Sequence, residues 1–187
     1  MTDSRRPQKW EKLRSTNGPT MPLFRTRYDL LRNPRNEIEL QALVLESSDW
    51  VNIVALTSDK KVVVVRQFRF GSGKISTEIP GGLVDPGEDH HTAAIRELRE
   101  ETGFTSEHWR YLGAVEPNPA FLSNVCHQWC AEDAHQTEVA TQEAGEDIFV
   151  DTLSLVELGQ EIQAGKFRHS LALLALAHVF DLRSVID

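Results

Sequence analysis

The chain has 187 residues, 40% of them hydrophobic and 26% charged, which is the composition of one globular domain with or without an arm. That composition excludes disordered, collagen-like and low-complexity classes, and the length buries roughly 70% of the unfolded surface without a disulfide or structural metal. Acidic residues outnumber basic ones 28 to 20, for a net charge of −8, so no nucleic-acid partner is expected, and a polyanionic ligand must be met by a metal ion or a few aimed arginines.

The first stretch, MTDSRRPQKW, carries two arginines but no apolar run behind them, so no signal peptide is expected. Residues 1–37 are polar and punctuated by Gly18, Pro19, Pro22 and Pro34, with short strand-like pieces such as Leu23 to Leu30. They read as a β-rich arm with little core of its own, and residues 38–187 as the main domain. Ile38–Leu45, Val51–Leu56 and Val62–Phe68 are β-rich runs separated by turns, and Ser76–Ile79 is a short strand stopped by Pro80-Gly81-Gly82. A helical pattern begins near Asp89 and ends at Gly103. Trp109–Val115, Asn124–Ala131 and Ile148–Leu153 read as strands, and Val156–Gln163 and His169–Leu182 as helices. Strands, helix, strands and helices in that order predict an α/β sandwich around a mixed sheet. The longest apolar run, Leu171 to Ala177, is far short of the ~20 residues that span a bilayer. No membrane association is expected. Two cysteines, Cys126 and Cys130, make no secreted disulfide framework, which fits a reducing, cytoplasmic setting.

One string carries chemistry. Gly82 is followed by Glu88, Arg96-Glu97-Leu98, Glu100-Glu101 and Gly103-Phe104. At about 6% for each charged type and 7% for Gly, its chance occurrence is of order one in ten million. At 100° per residue, Glu97, Glu100 and Glu101 share one helix face within about 100°, and Ala94, Ile95 and Leu98 share the next and are expected to pack on the sheet. Like charges at i, i+3 and i+4 repel, and two of them oppose the helix dipole in the last turn. A cation from outside relieves both costs, and all-oxygen ligands favour Mg²⁺, Mn²⁺ or Ca²⁺ over zinc. Cys126-His127-Gln128-Trp129-Cys130 is not read as a zinc site, because on a strand His127 points away from the cysteines. His90 and His91 read as surface residues, and His169 as a packing or capping residue.

The string resembles the Nudix box, here residues 82–104, and the chain is identified as a member of the Nudix hydrolases. The resemblance implies a Nudix-type α/β/α sandwich and Mg²⁺-dependent attack of water on a nucleoside diphosphate linked to another group. It implies metal roles for Glu97, Glu100, Glu101 and the Gly81 carbonyl, with Glu97 and Glu101 catalytic, and a structural salt-bridge or outer-shell role for Glu88 and Arg96. The flanks are similar to the ADP-ribose and nucleotide-sugar pyrophosphatase branch: Trp10-Glu11-Lys12-Leu13, Arg66-Gln67-Phe68-Arg69, Glu78-Ile79-Pro80-Gly81-Gly82, Pro119 in Asn118–Asn124, and Gly145-Glu146-Asp147-Ile148. The branch implies a homodimer in which the arm reaches the partner. Arg69 is the first candidate to grip a phosphate and Arg66 its competitor, since i and i+3 on a strand face opposite ways. Glu146, in a glycine-containing loop, is the candidate general base, with Glu143 the alternative. Trp10 or Phe24 is the candidate to stack a base. ADP-ribose is the first substrate expected and GDP-mannose or another nucleotide sugar the second. A non-catalytic ligand sensor and a pyrophosphatase acting on dinucleoside polyphosphates or coenzyme A are the alternatives.

Overall fold

The computed structural model describes residues 6–141, 145 and 147–186. They fall into two compact units, Met1–Ser48 with Glu116–Asn124, and Asp49–Val115 with Val125–Asp187.

The first unit is built on an antiparallel sheet of β1 (Glu11–Thr20), β2 (Arg25–Arg32) and β3 (Glu39–Glu46), in that order. The sequence expectation of short pieces in 1–37 undercounts it, because β1 is almost wholly polar and its register shifts twice, which erases the two-residue alternation. The expected division at 37/38 would also cut β3 from the sheet it completes. Among the described residues of this unit no apolar side chain is fully buried, and Leu23, Ile38, Leu40 and Leu43 are exposed. The centre is polar instead. The buried Asp29 carboxylate accepts from Ser15, from Lys12 at 3.4 Å and from Arg27 Nε at 3.0 Å, and Arg27 also pairs with Glu46.

The second unit holds a seven-stranded mixed sheet. Its order is β10 (Ile148–Leu153), β5 (Val62–Arg69), β4 (Trp50–Thr57), β9 (Cys126–Gln136) and β7 (Phe104–Thr105). Off that path, β6 (Lys74–Glu78) pairs β5 and β8 (His108–Val115) pairs β9. The β4–β9 pair is parallel and the others antiparallel. Alternation along the central strands sorts the core. Val51, Ile53, Ala55 and Val63 pack with Ala93, Ala94 and Leu98 of α1 (His90–Thr102). Val54, Leu56, Val62 and Val64 pack with Leu158 of α2 (Leu155–Gln163) and with Ala172, Ala175 and Leu176 of α3 (Ser170–Ala177). The result is the expected α/β/α sandwich. The single helix expected over 169–182 is α3 followed by the separate α4 (Leu182–Ile186). No helix among the described residues is long and apolar enough to cross a membrane.

Cys126 and Cys130 are free, fully buried strand residues, and burial pushes the Cys126 thiol up to about 12. His90 and His91 depart from expectation, because both pack into an aromatic cluster over β8 and β9. His90 stacks on His127 with ring centroids 4.0 Å apart and accepts a hydrogen bond from Trp129 Nε1 at 3.2 Å, and His91 stacks on Trp129. The first turn of α1 faces the sheet, a fact that spacing alone does not reveal.

Candidate active site

The site starts with the start of a helix. The Asp89 carboxylate caps α1 by accepting from the His91 and Thr92 amides, and Gly103 closes it in the left-handed region at φ 73°. These two ends fix the rotation of α1. Ala94 and Leu98 then face the sheet while Glu97 and Glu101 face the loop that follows β6.

That loop runs beside β4. Ile53 N–H donates to the Pro80 carbonyl and Val51 N–H to the Gly82 carbonyl, both at 2.9 Å. In an extended segment alternate residues face opposite ways, so the Gly81 N–H and C=O turn from β4 toward α1. The Gly81 N–H duly donates to Glu101 Oε2 at 2.9 Å, and Glu101 is only 4% exposed. A side chain at either glycine would displace a neighbour. A Cβ on Gly82 would lie 2.3 Å from Glu97 Oε1, and one on Gly81 would lie 2.2 Å from the Val51 carbonyl oxygen. Gly82 therefore lets the loop backbone touch the Glu97 carboxylate.

Arg96 ties the cluster together. Its Nε and Nη2 donate to the two Glu88 oxygens at 3.1 and 2.9 Å, and Nη2 also donates to the Leu83 carbonyl. Nη1 reaches Glu97 at 2.8 Å and Glu100 at 3.2 Å. The hydrogen bonds to Glu88 drive the Arg96 pKa up and hold the Glu88 carboxyl below its usual range. Arg96 makes the expected salt bridge to Glu88 and is also the hub of the carboxylates, while Arg99 turns to Glu138 at 3.4 Å. Among the described residues no three His, Cys, Asp or Glu side chains are already converged as a cation cage. Glu97 and Glu100 are instead turned onto Arg96.

A cavity of about 270 Å³ opens beside Gly81 and Gly82, and Asn52, Arg69 and His169 line it. Arg69 lies there in a bidentate pair with the buried Glu78, at 2.9 and 2.8 Å. Burial raises the Glu78 carboxyl, but the hydrogen bond and charge of Arg69 outweigh it and hold the carboxyl below its usual range. Burial pushes the His169 imidazole down. His169 is the N-cap of α3 without making a side-chain capping bond; its Nδ1 lies 3.6 Å from Glu78 instead. Asn52 Nδ2 is buried and makes no hydrogen bond, a donor left over in a phosphate-sized space. The sequence reading singles out Glu78 only as part of a flanking motif, and it passes over Asn52. The signal for Asn52 was a lone amide inside the apolar run of β4.

Arg66 does not line this cavity. It donates to Thr77 and Glu161 and pairs with Asp151, an arrangement that fastens β5 to α2 and β10. Trp10, Phe24 and Pro119 belong to the first unit, where Trp10 lines a groove of about 400 Å³ with Pro7 and Pro34. Glu143 and Glu146 lie outside the described residues.

The Nudix domain family model matches residues 49–172, the greater part of the second unit and of the chain. The chain belongs to the Nudix family. It is 33% identical to the ADP-ribose pyrophosphatase of Bacillus subtilis, over 67% of this chain and 71% of that protein. It is also 33% identical to the methanol dehydrogenase activator of Bacillus methanolicus, over 69% of this chain and 70% of that protein. A solved structure, that of an ADP compounds hydrolase, superposes with a TM-score of 0.80 over 94% of both chains at 23% identity, which is a likeness of fold. As a Nudix enzyme the protein is a hydrolase of pyrophosphate bonds, of the ADP-ribose pyrophosphatase-like kind.

Proposed function

We propose that this Nudix enzyme hydrolyses the diphosphate of a nucleoside diphosphate sugar, ADP-ribose first and GDP-mannose or another nucleotide sugar second. The products are a nucleoside monophosphate and a sugar phosphate. The observation that carries the reading is the meeting of Gly81, Gly82, Glu97 and Glu101 beside a cavity that also holds Arg69. The ADP-ribose pyrophosphatase relative supports the choice of substrate.

The donor set fits a hard divalent cation. Three carboxylates and a glycine carbonyl are all-oxygen ligands, and Gly82 leaves room at Glu97 that a Cβ would fill. Glu97, Glu100, Glu101 and the Gly81 carbonyl would hold Mg²⁺, or Mn²⁺ in its place, with Glu97 and Glu100 turning from Arg96 to do so. When bound, such an ion polarises phosphoryl oxygens and acidifies water. Arg69 grips a diphosphate oxygen from the far wall, and the Asn52 amide donates to another. Glu146 takes the proton from the attacking water, with Glu143 as the competing base; a carboxylate that holds a cation accepts protons poorly. Trp10, with its groove, stacks the base, Phe24 being the alternative and Pro119 a further contact.

The protein acts as a cytoplasmic homodimer in this reading. Supporting the dimer is a first unit with exposed Leu23, Ile38, Leu40 and Leu43 and, among its described residues, no buried apolar core. The test of the function is AMP release from ADP-ribose, and monophosphate release from a panel of nucleotide sugars, with and without Mg²⁺. Release of monophosphate from none of them would overturn it.

A further inference from the structure

A second, larger cavity of about 810 Å³ lies in the same unit, between the β5–β6 hairpin and the α2–α3 connection. Arg66, Arg69, Lys74, Lys166, Arg168 and His169 line it, against one carboxylate, Glu78. Five permanent cations around one hollow contrast with the net charge of −8 for the chain. Two of the five are already compensated, Arg69 by Glu78 and Arg66 by Glu161 and Asp151. The other three, Lys74, Lys166 and Arg168, are exposed and form no ion pair within 4 Å with a described residue, Lys166 acting on Glu161 only from farther away. Their charge is in excess.

The walls are fixed. Thr77 of β6 bridges to Phe167, which is 2% exposed, and the Thr77 hydroxyl donates to Glu161. Lys166 and Arg168 flank Phe167 in the chain. With Phe167 turned inward, its two neighbours are turned out toward the hollow. Lys74 opposes Arg69 across the β5–β6 pair. Arg66 and Arg69 both reach the cavity from opposite faces of β5, because β6 is an edge strand around which the cavity wraps. Arg69 and His169 line this cavity and the smaller one beside Gly81 and Gly82, so the two are neighbours that share a wall.

We propose that this cavity is a subsite for a phosphate monoester dianion, and that the preferred substrate carries such a group beyond its scissile diphosphate. The second half rests on the nucleotide-sugar reading above. Flexible ammonium groups with one guanidinium suit a compact dianion whose orientation the neighbouring diphosphate already sets. The volume lies within the range of small-molecule sites.

The experiment has two arms. In the first, inorganic phosphate is titrated into isotopically labelled protein, and the amides of residues 72–77 and 165–169 are followed by NMR. They should shift in the wild type and stay still in the triple variant Lys74→Ala, Lys166→Ala, Arg168→Ala. All three side chains are exposed, and unchanged resonances of the core will verify the variant's fold. Amides that ignore phosphate, or that shift equally in the variant, refute the subsite. In the second arm, KM is measured for ADP-ribose and for ADP-ribose carrying a phosphate on either ribose. A KM at least ~10-fold lower for one phosphorylated substrate, lost in the triple variant, supports a substrate-borne group. Equal KM values with phosphate still bound refute that half and assign the subsite to a separate phosphorylated small molecule. If no nucleotide sugar turns over, the functional reading fails while the phosphate titration still decides the subsite.

Discussion

The two adjacent glycines of the loop should fail in opposite ways when each is changed to alanine. Neither has a positive φ, so the backbone accepts alanine at both positions and the outcome depends on what the new methyl meets. At Gly82 it meets the Glu97 carboxylate, at 2.3 to 2.5 Å from its three terminal atoms. Ordinary carbon contacts begin near 3.5 Å, so the carboxylate must retreat by about 1 Å. The side chain is flexible, and its bond to Arg96 suffers, worth roughly 0.5–1 kcal/mol for a partly exposed pair. The loss of unfolded-state freedom on Gly→Ala returns about the same amount. Thermal unfolding should therefore move by no more than ~3 °C, whereas a ligand displaced by about 1 Å should cost ~10²-fold in kcat. At Gly81 the methyl meets the Val51 carbonyl oxygen at 2.2 Å and the Asn52 Cα at 3.1 Å, which is the backbone of a central strand. The loop must peel away, straining the Val51–Gly82 and Ile53–Pro80 hydrogen bonds. Overpacking and weakened bonds together cost roughly 3 kcal/mol, or about 6–12 °C in Tm. The assay pairs calorimetry with AMP release from ADP-ribose in saturating Mg²⁺. Near-native kcat in Gly82→Ala, or a native Tm in Gly81→Ala, would refute the placement of the loop against Glu97 and β4.

Removing the hub by Arg96→Ala, in the absence of divalent cations, should destabilise the fold by roughly 2–3 kcal/mol at neutral pH, measured by urea unfolding. Because Arg96 holds Glu88 below its usual range, that contribution is complete above the unfolded carboxyl value near 4.3 and fades as pH falls through the lower folded value. The gap between variant and wild type should narrow below about pH 4, and a pH-independent gap would contradict the ion-pair account. Glu146→Gln should lower kcat by roughly 10²–10⁴-fold with little change in the Mg²⁺ dependence. If Glu143→Gln is the crippled variant the base is Glu143, and if neither falls more than about tenfold there is no loop base. Sedimentation should give about twice the 21.1 kDa chain mass, and a monomer with full activity at micromolar concentration would exclude the dimer.

Some of the site was legible because it depends on local geometry. Asp89 and Gly103 punctuate α1 within a few residues of its ends, and helical periodicity alone places Ala94 and Leu98 on a different face from Glu97 and Glu101; Ile95, expected to pack on the sheet with them, is instead 39% exposed, and Ala93 takes that place in the core. The strand alternation of Val62 to Val65 is likewise local, and it divides the core between the two helix layers. What was not legible depends on partners distant in sequence. Glu78 and His169 meet because the α2–α3 connection crosses the edge of β6, which no spacing records. Arg96 is drawn to the centre of the carboxylates by Glu88 and the Leu83 carbonyl, both contributed by the loop before the helix. The first unit was underestimated because its strands are held by charge pairs about Asp29 and Glu46, which leave no apolar alternation to read. His90 and His91 have no helical partner in sequence, and their neighbours come from β8 and β9.

The central claim is that the buried carboxylate at the end of α1 serves catalysis and not the fold. The most direct test is kcat of Glu101→Gln in saturating Mg²⁺, with Tm recorded alongside. Glutamine keeps an oxygen able to accept from the Gly81 N–H, 2.9 Å away in the native protein, so the loop should stay in place. Loss of one negative charge beside Glu97 should leave Tm without Mg²⁺ equal or slightly higher. The account predicts a fall in kcat of at least ~10²-fold in that folded variant. A folded Glu101→Gln protein with near-native kcat would contradict it.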